Sequence, residues 1–261
     1  MKRSGILLAL AIFCSMTLCA QSGTSTTAKS TQNGDTSNQA AAQPNAGTPN
    51  ASERDKAQAR LDDSGTILNE LLSAPDKGIP EDVYKSAKCV AVVPSMVKGG
   101  FIFGAEYGRG VATCRTADDH WSAPAMFLVT GGSWGLQIGG QATDLVMLIM
   151  NQKGMNDLLS SKFKLGADGS VAAGPVGRNA SASTDWKMRA EVLTYSRARG
   201  LFAGLALNGA VIKQDDDATR ALYGRMVGFR PTLLGQVKPP AAAGNFLAIV
   251  QREQTRAAAA H

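Results

Sequence analysis

The chain has 261 residues, 27 Lys and Arg against 21 Asp and Glu, a formal net charge of +6 and an aromatic share of 6%. So small a basic excess with so few rings argues against a nucleic-acid surface, which needs clustered cations and stacking platforms. Past the first twenty residues, no apolar run approaches the ~20 residues that a membrane-spanning helix requires.

Lys2 and Arg3, the apolar segment Ile6 to Phe13 and the sequence Leu18-Cys19-Ala20 before Gln21 read as a signal peptide over residues 1–20. The expectation is an exported protein of the periplasm, with an association to the outer membrane open. A lipoprotein acylated at Cys19 is the minority reading, since Leu18 stands where such signals want a small residue. Cleavage removes Lys2 and Arg3 and lowers the charge from +6 to +4. Residues 21–50 are expected to form a disordered linker: from Ser22 to Asn50 there is no aromatic, Val, Leu, Ile or Met to offset the cost of ordering. The remaining 211 residues suit one domain better than two.

Ala57, Leu61, Leu68, Leu71 and Leu72 recur near helical spacing and predict a helix from about Ala51 that stops at Pro75. A short helix is expected from Pro80 to about Ala87, since the fixed φ of proline suits a first helical turn. Strands then dominate: Cys89 to Val93, Phe101 to Tyr107, Val111 to Arg115 and Ala125 to Thr130, the last after the polar turn TADDHW. Leu145 to Met150 is an apolar run set beside Gly-Gly pairs; a strand buried on both faces is the main reading, an interfacial segment the other. A helix near Gly154 to Ser161, strand pieces between Phe163 and Ala173, and the runs AEVLTYS and LFAGLALNGAVIK follow.

Glycines within these segments (Gly104, Gly135, Gly139, Gly140, Gly204, Gly209) are what a strongly bent sheet uses. The fold class is therefore α+β, a strongly curved or barrel-like antiparallel sheet of eight or nine strands with a few covering helices. Residues 51–230 make the domain, and residues 231–261 a Pro/Ala-rich tail, poorly anchored up to Gly244, with a short helix from about Asn245.

Of four cysteines, Cys89 and Cys114 survive cleavage and flank a hairpin. A disulfide between them would close a loop of 25 residues and stabilise the fold by roughly 3 kcal/mol. The chemistry-bearing residues are sparse. His120 sits in an acidic turn and His261 at the terminus, so neither a metal centre nor a histidine triad can be assembled. Asp118 and Asp119, like Asp215 to Asp217, are neighbours in sequence, as in exposed turns, and do not make a fixed acid/base pair. GAEYGRG and GGSWGLQIGG lack the Gly-Lys-Ser/Thr ending of a phosphate loop. No catalytic residue and no cofactor is expected.

Four stretches carry a family resemblance: AKCVAVVPSMVKGGFIFGAEYGRGVATCR, WSAPAMFLVTGGSWGLQIGGQATDLVMLIMN, SKFKLGADGSVAAGPVGR and YSRARGLFAGLALNGAVIKQD followed by ALYG. Together, from about Arg60 to Gly224, they resemble the SYLF domain family. The resemblance implies a non-enzymatic lipid-binding module. Eukaryotic members bind phosphoinositide-containing membranes and some bind and bundle actin, whence the name actin-binding domain; bacterial members with signal peptides are similar in layout.

In eukaryotic members an amphipathic helix at the start of the domain contributes to lipid binding. The matching stretch offers Arg54, Lys56 and Arg60 but also Asp55, Asp62, Asp63 and Glu70, a mixed face that reads first as a core-packing helix and second as a membrane helix. The other candidate lipid contacts are the cations within the motifs: Lys98, Arg109, Lys162, Lys164, Arg178, Arg197 and Arg199. Arginine favours phosphate through its planar fork, whereas lysine acts as a point charge. Each of these taken alone is equally an ordinary surface charge. The expected partner is an anionic phospholipid or glycolipid surface of the bacterial envelope, or else an envelope protein; actin enters by resemblance alone.

Overall fold

The computed structural model describes residues 51–74, 78–100, 103–134, 141–160, 162–176, 190–198, 201–203 and 209–259. Residues 1–50, on which the expected signal peptide, Cys19 and the expected linker fall, and Gly135, Gly139, Gly140, Gly204, Arg178 and Arg199, lie outside the described residues.

Helix α1 (Ala51–Ser73) ends two residues short of Pro75 and buries Ala57, Leu61, Ser64, Gly65, Leu68 and Leu71, one stripe at three- and four-residue intervals. Helix α2 (Glu81–Ser86) starts directly after Pro80, whose φ is −62°. Four long strands follow: β1 (Cys89–Gly100), β2 (Phe103–Cys114), β3 (Ala125–Trp134) and β4 (Gln141–Ile149). The two strands expected over Phe101 to Arg115 are thus one. Helix α3 (Gln152–Leu158) is capped by Asn151, whose side chain accepts from the Gly154 N–H. Strands β5 (Lys162–Lys164), β6 (Val171–Ala173), β7 (Val192–Ala198), β8 (Leu201–Ala203) and β9 (Val211–Gln214) complete the sheet. Helices α4 (Asp216–Tyr223), α5 (Phe229–Leu233) and α6 (Gly244–Ala259) close the chain.

The strands form one curled sheet in the order β5-β9-β3-β2-β1-β4-β7-β6, with β8 also on β7. Every pairing is antiparallel except β6 with β7, which is parallel. Close approach explains one glycine well: a Cβ on Gly110 would lie 2.4 Å from the Phe127 ring and 2.6 Å from the Val92 carbonyl. Gly209 has φ +90°, the left-handed turn that leads into β9.

Two cores lie on opposite faces of this sheet. One, the α1 face, gathers Leu61, Leu68, Leu71, Val83, Tyr84, Val90, Val92, Val111, Val146, Leu148 and Tyr195 with Phe246 and Val250 of α6. The other, the disulfide face, gathers Cys89, Cys114, Phe127, Leu145, Met147, Ile149, Phe163 and Ile212 with Leu158 of α3 and Leu233 of α5. Alternate residues of β4 serve each core, and all five from Leu145 to Ile149 are buried, which makes this apolar run a doubly covered strand.

Cys89 and Cys114 are cross-strand partners and form a disulfide. Between Val92 and Val97 the β1–β2 register slips by one residue. The slip is built around Ser95, with φ 49°, whose N–H donates to Asp144 Oδ1 at 3.0 Å.

The segment expected to be poorly anchored is seated. Phe229 and Leu233 are buried in the disulfide-face core, and Ala243, Phe246 and Val250 in the other. The Gln58 side chain donates to the Ala242 carbonyl at 3.2 Å, and the Tyr84 hydroxyl donates to the Val250 carbonyl at 3.1 Å. Proline and alanine composition concealed an apolar stripe at helical spacing that α1 and α2 cover.

Candidate functional site

Of the strand cations singled out in the sequence and described, the register slip sends Lys98 to the disulfide face, while Arg109, Lys162, Lys164 and Arg197 lie on the α1 face without all sharing one environment. Lys98 stands opposite Glu106 and pairs with it at 2.8 Å, both side chains largely buried. Arg197 of β7 lies opposite Asp144 of β4, and its Nε and one terminal nitrogen donate to Asp144 Oδ2 at 3.2 and 2.9 Å. Its other terminal nitrogen pairs with Glu70 of α1. The planar fork expected to meet phosphate is occupied by two carboxylates and ties the helix to the sheet.

A second tie joins three elements. Asp215, 2% exposed, caps α4 by accepting from the Ala218 N–H at 3.1 Å through Oδ1. Its Oδ2 faces Arg60 of α1 at 3.5 Å and Arg109 of β2 at 3.6 Å. Burial pulls the Arg60 guanidinium below its ordinary value, against the pull of Asp215. Arg109 moves the other way, raised first by its 2.9 Å hydrogen bond to the Tyr107 hydroxyl and then by Asp215. Glu53 is held low by its hydrogen bond to Lys56 at 2.7 Å. Arg54 is exposed on the first turn of α1. The apolar stripe of α1 is buried against the sheet and α6, so the candidate amphipathic helix packs as a core helix in this conformation.

Lys162 and Lys164 are different. In the sequence KFK the middle ring, Phe163, is buried in the disulfide-face core, so both lysines project from the opposite face and are exposed. Lys162 stands directly opposite Lys213 of β9, itself exposed. Like charges placed opposite one another destabilise a strand pair, and among the described residues no carboxylate forms an ion pair with any of these three lysines. The register extends the row: Lys162, Lys213, Leu128 and Arg109 are successive partners across β5, β9, β3 and β2. At about 4.8 Å per strand the row spans roughly 14 Å.

The next row on the same face holds Lys164, Val211, Thr130, Tyr107 and Val97. Lys213 was not among the residues singled out. It belongs to the run that ends in VIK, but its place beside Lys162 depends on a pairing between segments 51 residues apart, which no local pattern displays. Lys162, Lys164 and Lys213 thus form an exposed cationic margin without an ion-paired carboxylate among the described residues, suited to an anion or an anionic surface, while Arg109 at the end of the row faces Asp215. Among the described residues no group of His, Cys, Asp and Glu could hold a metal ion.

Comparison with known proteins gives consistent matches. The family model for Ysc84, described as a Las17-binding protein actin regulator, matches residues 130–253. LAS seventeen-binding protein 3 of Saccharomyces cerevisiae is 34% identical over 199 residues, covering 75% of this chain and 43% of that protein. SH3 domain-containing YSC84-like protein 1 is 34% identical over 179 residues in Mus musculus and 32% in Homo sapiens, in each case 68% of this chain and 52% of that protein. The chain spans about half the length of these relatives.

Proposed function

Because the chain belongs to the Ysc84 (SYLF) family, we propose that it is a non-enzymatic module that attaches to anionic, phosphate-bearing lipid surfaces of a bacterial envelope, exported by its N-terminal segment. The observation that carries this reading is the trio Lys162, Lys164 and Lys213, exposed on one face with no acidic partner among the described residues. A cation near an acidic membrane contributes about 1 kcal/mol, so three acting together support a salt-sensitive attachment. A second reading, a protein-interaction module, is favoured by the family description, an actin regulator that binds Las17.

Co-sedimentation with phosphatidylcholine vesicles, with and without phosphatidylglycerol, at low and high salt, tests the first reading. Binding is expected on the acidic vesicles alone, weakened as the screening length falls below about 10 Å, and lost in a Lys162→Glu, Lys213→Glu variant. Failure to bind acidic vesicles at low salt would reject the lipid reading in favour of a protein partner.

A further inference from the structure

Among the described residues the large apolar side chains left exposed are Val97, Tyr107, Val176 and Met226, and the first two are direct cross-strand partners at 51% and 46% exposure. Their surroundings are small. Ala142 stands opposite Val97 on β4, and the row beyond consists of Gly99, Ala105 and Gly132, again in register across three strands. Ala105, Gly132 and Ala142 are exposed. Among the described residues, a Cβ placed on Gly99 would meet nothing within 4 Å, and one on Gly132 only a backbone oxygen at 3.9 Å, so with respect to them the strip is flat and open.

On this same face Lys164 ends the row of Tyr107 and Val97, three strands from Tyr107, and Lys162 and Lys213 lie in the neighbouring row that runs to Arg109. The Tyr107 hydroxyl accepts from Arg109 Nε at 2.9 Å and so joins the apolar strip to the cation row.

We propose that this uncovered part of the α1 face is the membrane-docking surface, with Val97 and the Tyr107 ring entering the interfacial layer of an acidic phospholipid bilayer while the cation row lies at the depth of the phosphates. The proposal rests on the lipid reading above and adds to it a site and a depth. Charge complementarity selects the occupant: acidic lipids supply phosphates beside an apolar layer, and the face presents cations beside an apolar strip in the same plane. Tyrosine suits that boundary, its ring apolar and its hydroxyl wet. The buried stripe of α1 is not needed, so docking requires no rearrangement of the core.

The experiment uses the full chain with a Val97→Trp reporter, and in parallel a Val97→Ser, Tyr107→Ser variant whose folding is checked by thermal melting. On phosphatidylcholine–phosphatidylglycerol vesicles the reporter's emission, taken as the difference from the unmodified protein, is expected to shift to the blue and to be quenched by brominated acyl chains. The serine variant is expected to bind about tenfold more weakly and to lose the residual binding that the native chain keeps at high salt. Salt-sensitive vesicle binding with no blue shift and an unchanged serine variant would overturn the inserted face and leave the lipid reading standing. Absence of vesicle binding by the native chain would overturn both. Preference for soluble polyglutamate over vesicles would assign the face to an acidic protein and overturn this proposal.

Discussion

Arg197 and Lys213 are strand cations on the same face of one sheet, and the sequence singled out only the first as a candidate lipid contact. Their surroundings separate them. Arg197 sits where β4 supplies Asp144 in register and α1 supplies Glu70 from above, so its charge is consumed in holding the helix down. Lys213 sits where β5 supplies Lys162 in register and, among the described residues, no carboxylate forms an ion pair with it, so its charge stays available to whatever approaches. Residue type does not decide whether a strand cation is structural or receptive; the cross-strand partner does.

The comparison breaks if removing charges from the tied region costs no stability. The largest effect is expected at Asp215, which alone caps α4 and faces two guanidinium groups. Asp215→Ala leaves the mostly buried Arg60 without its carboxylate and should cost about 3 kcal/mol. For a domain of this size that lowers the melting temperature by roughly 6–12 °C. Asp215→Asn keeps the cap oxygen and should recover part of the loss; equal losses in the two variants would mean that the charge pairing contributes nothing. Arg197→Ala comes next, with about 2 kcal/mol expected because its pairs are only half buried. Its vesicle binding per folded molecule should match the native chain, and a selective loss of binding would return Arg197 to the lipid-contacting set.

Much of the fold was legible because it is local. KFK alternation, the Cys89 and Cys114 hairpin and the length of Leu145 to Met150 each state their face without outside information. The ties were not legible, and Lys98 shows why. Extending the register of Cys89 with Cys114 along the hairpin sets Lys98 opposite Ala105, whereas the slip at Ser95 moves it to Glu106 and into an ion pair. One residue of bulge, placed by a hydrogen bond that Ser95 N–H donates to Asp144 nearly fifty positions away, changes the partner. The C-terminal helix was legible from about Asn245, but its seating was not, for a related reason: Phe246 and Val250 form a stripe only once α1 and α2 are there to cover it.

The smallest effect is the sharpest test of the receptive margin. Lys213→Glu converts the Lys162–Lys213 opposition into a cross-strand pair of opposite sign, which stabilises by about 0.2–1 kcal/mol where the original pair repelled. Stability should therefore rise slightly, by roughly 1–3 °C in melting temperature, while binding to acidic vesicles falls. The two readouts moving in opposite directions is what a margin kept charged for a ligand requires, since a purely structural lysine would lose stability on reversal. If melting temperature and binding fall together, Lys213 has an acidic partner in the folded chain and the margin is not receptive. If stability rises and binding is unchanged, the cation row is incidental and attachment must rest on the apolar strip of Val97 and Tyr107 alone.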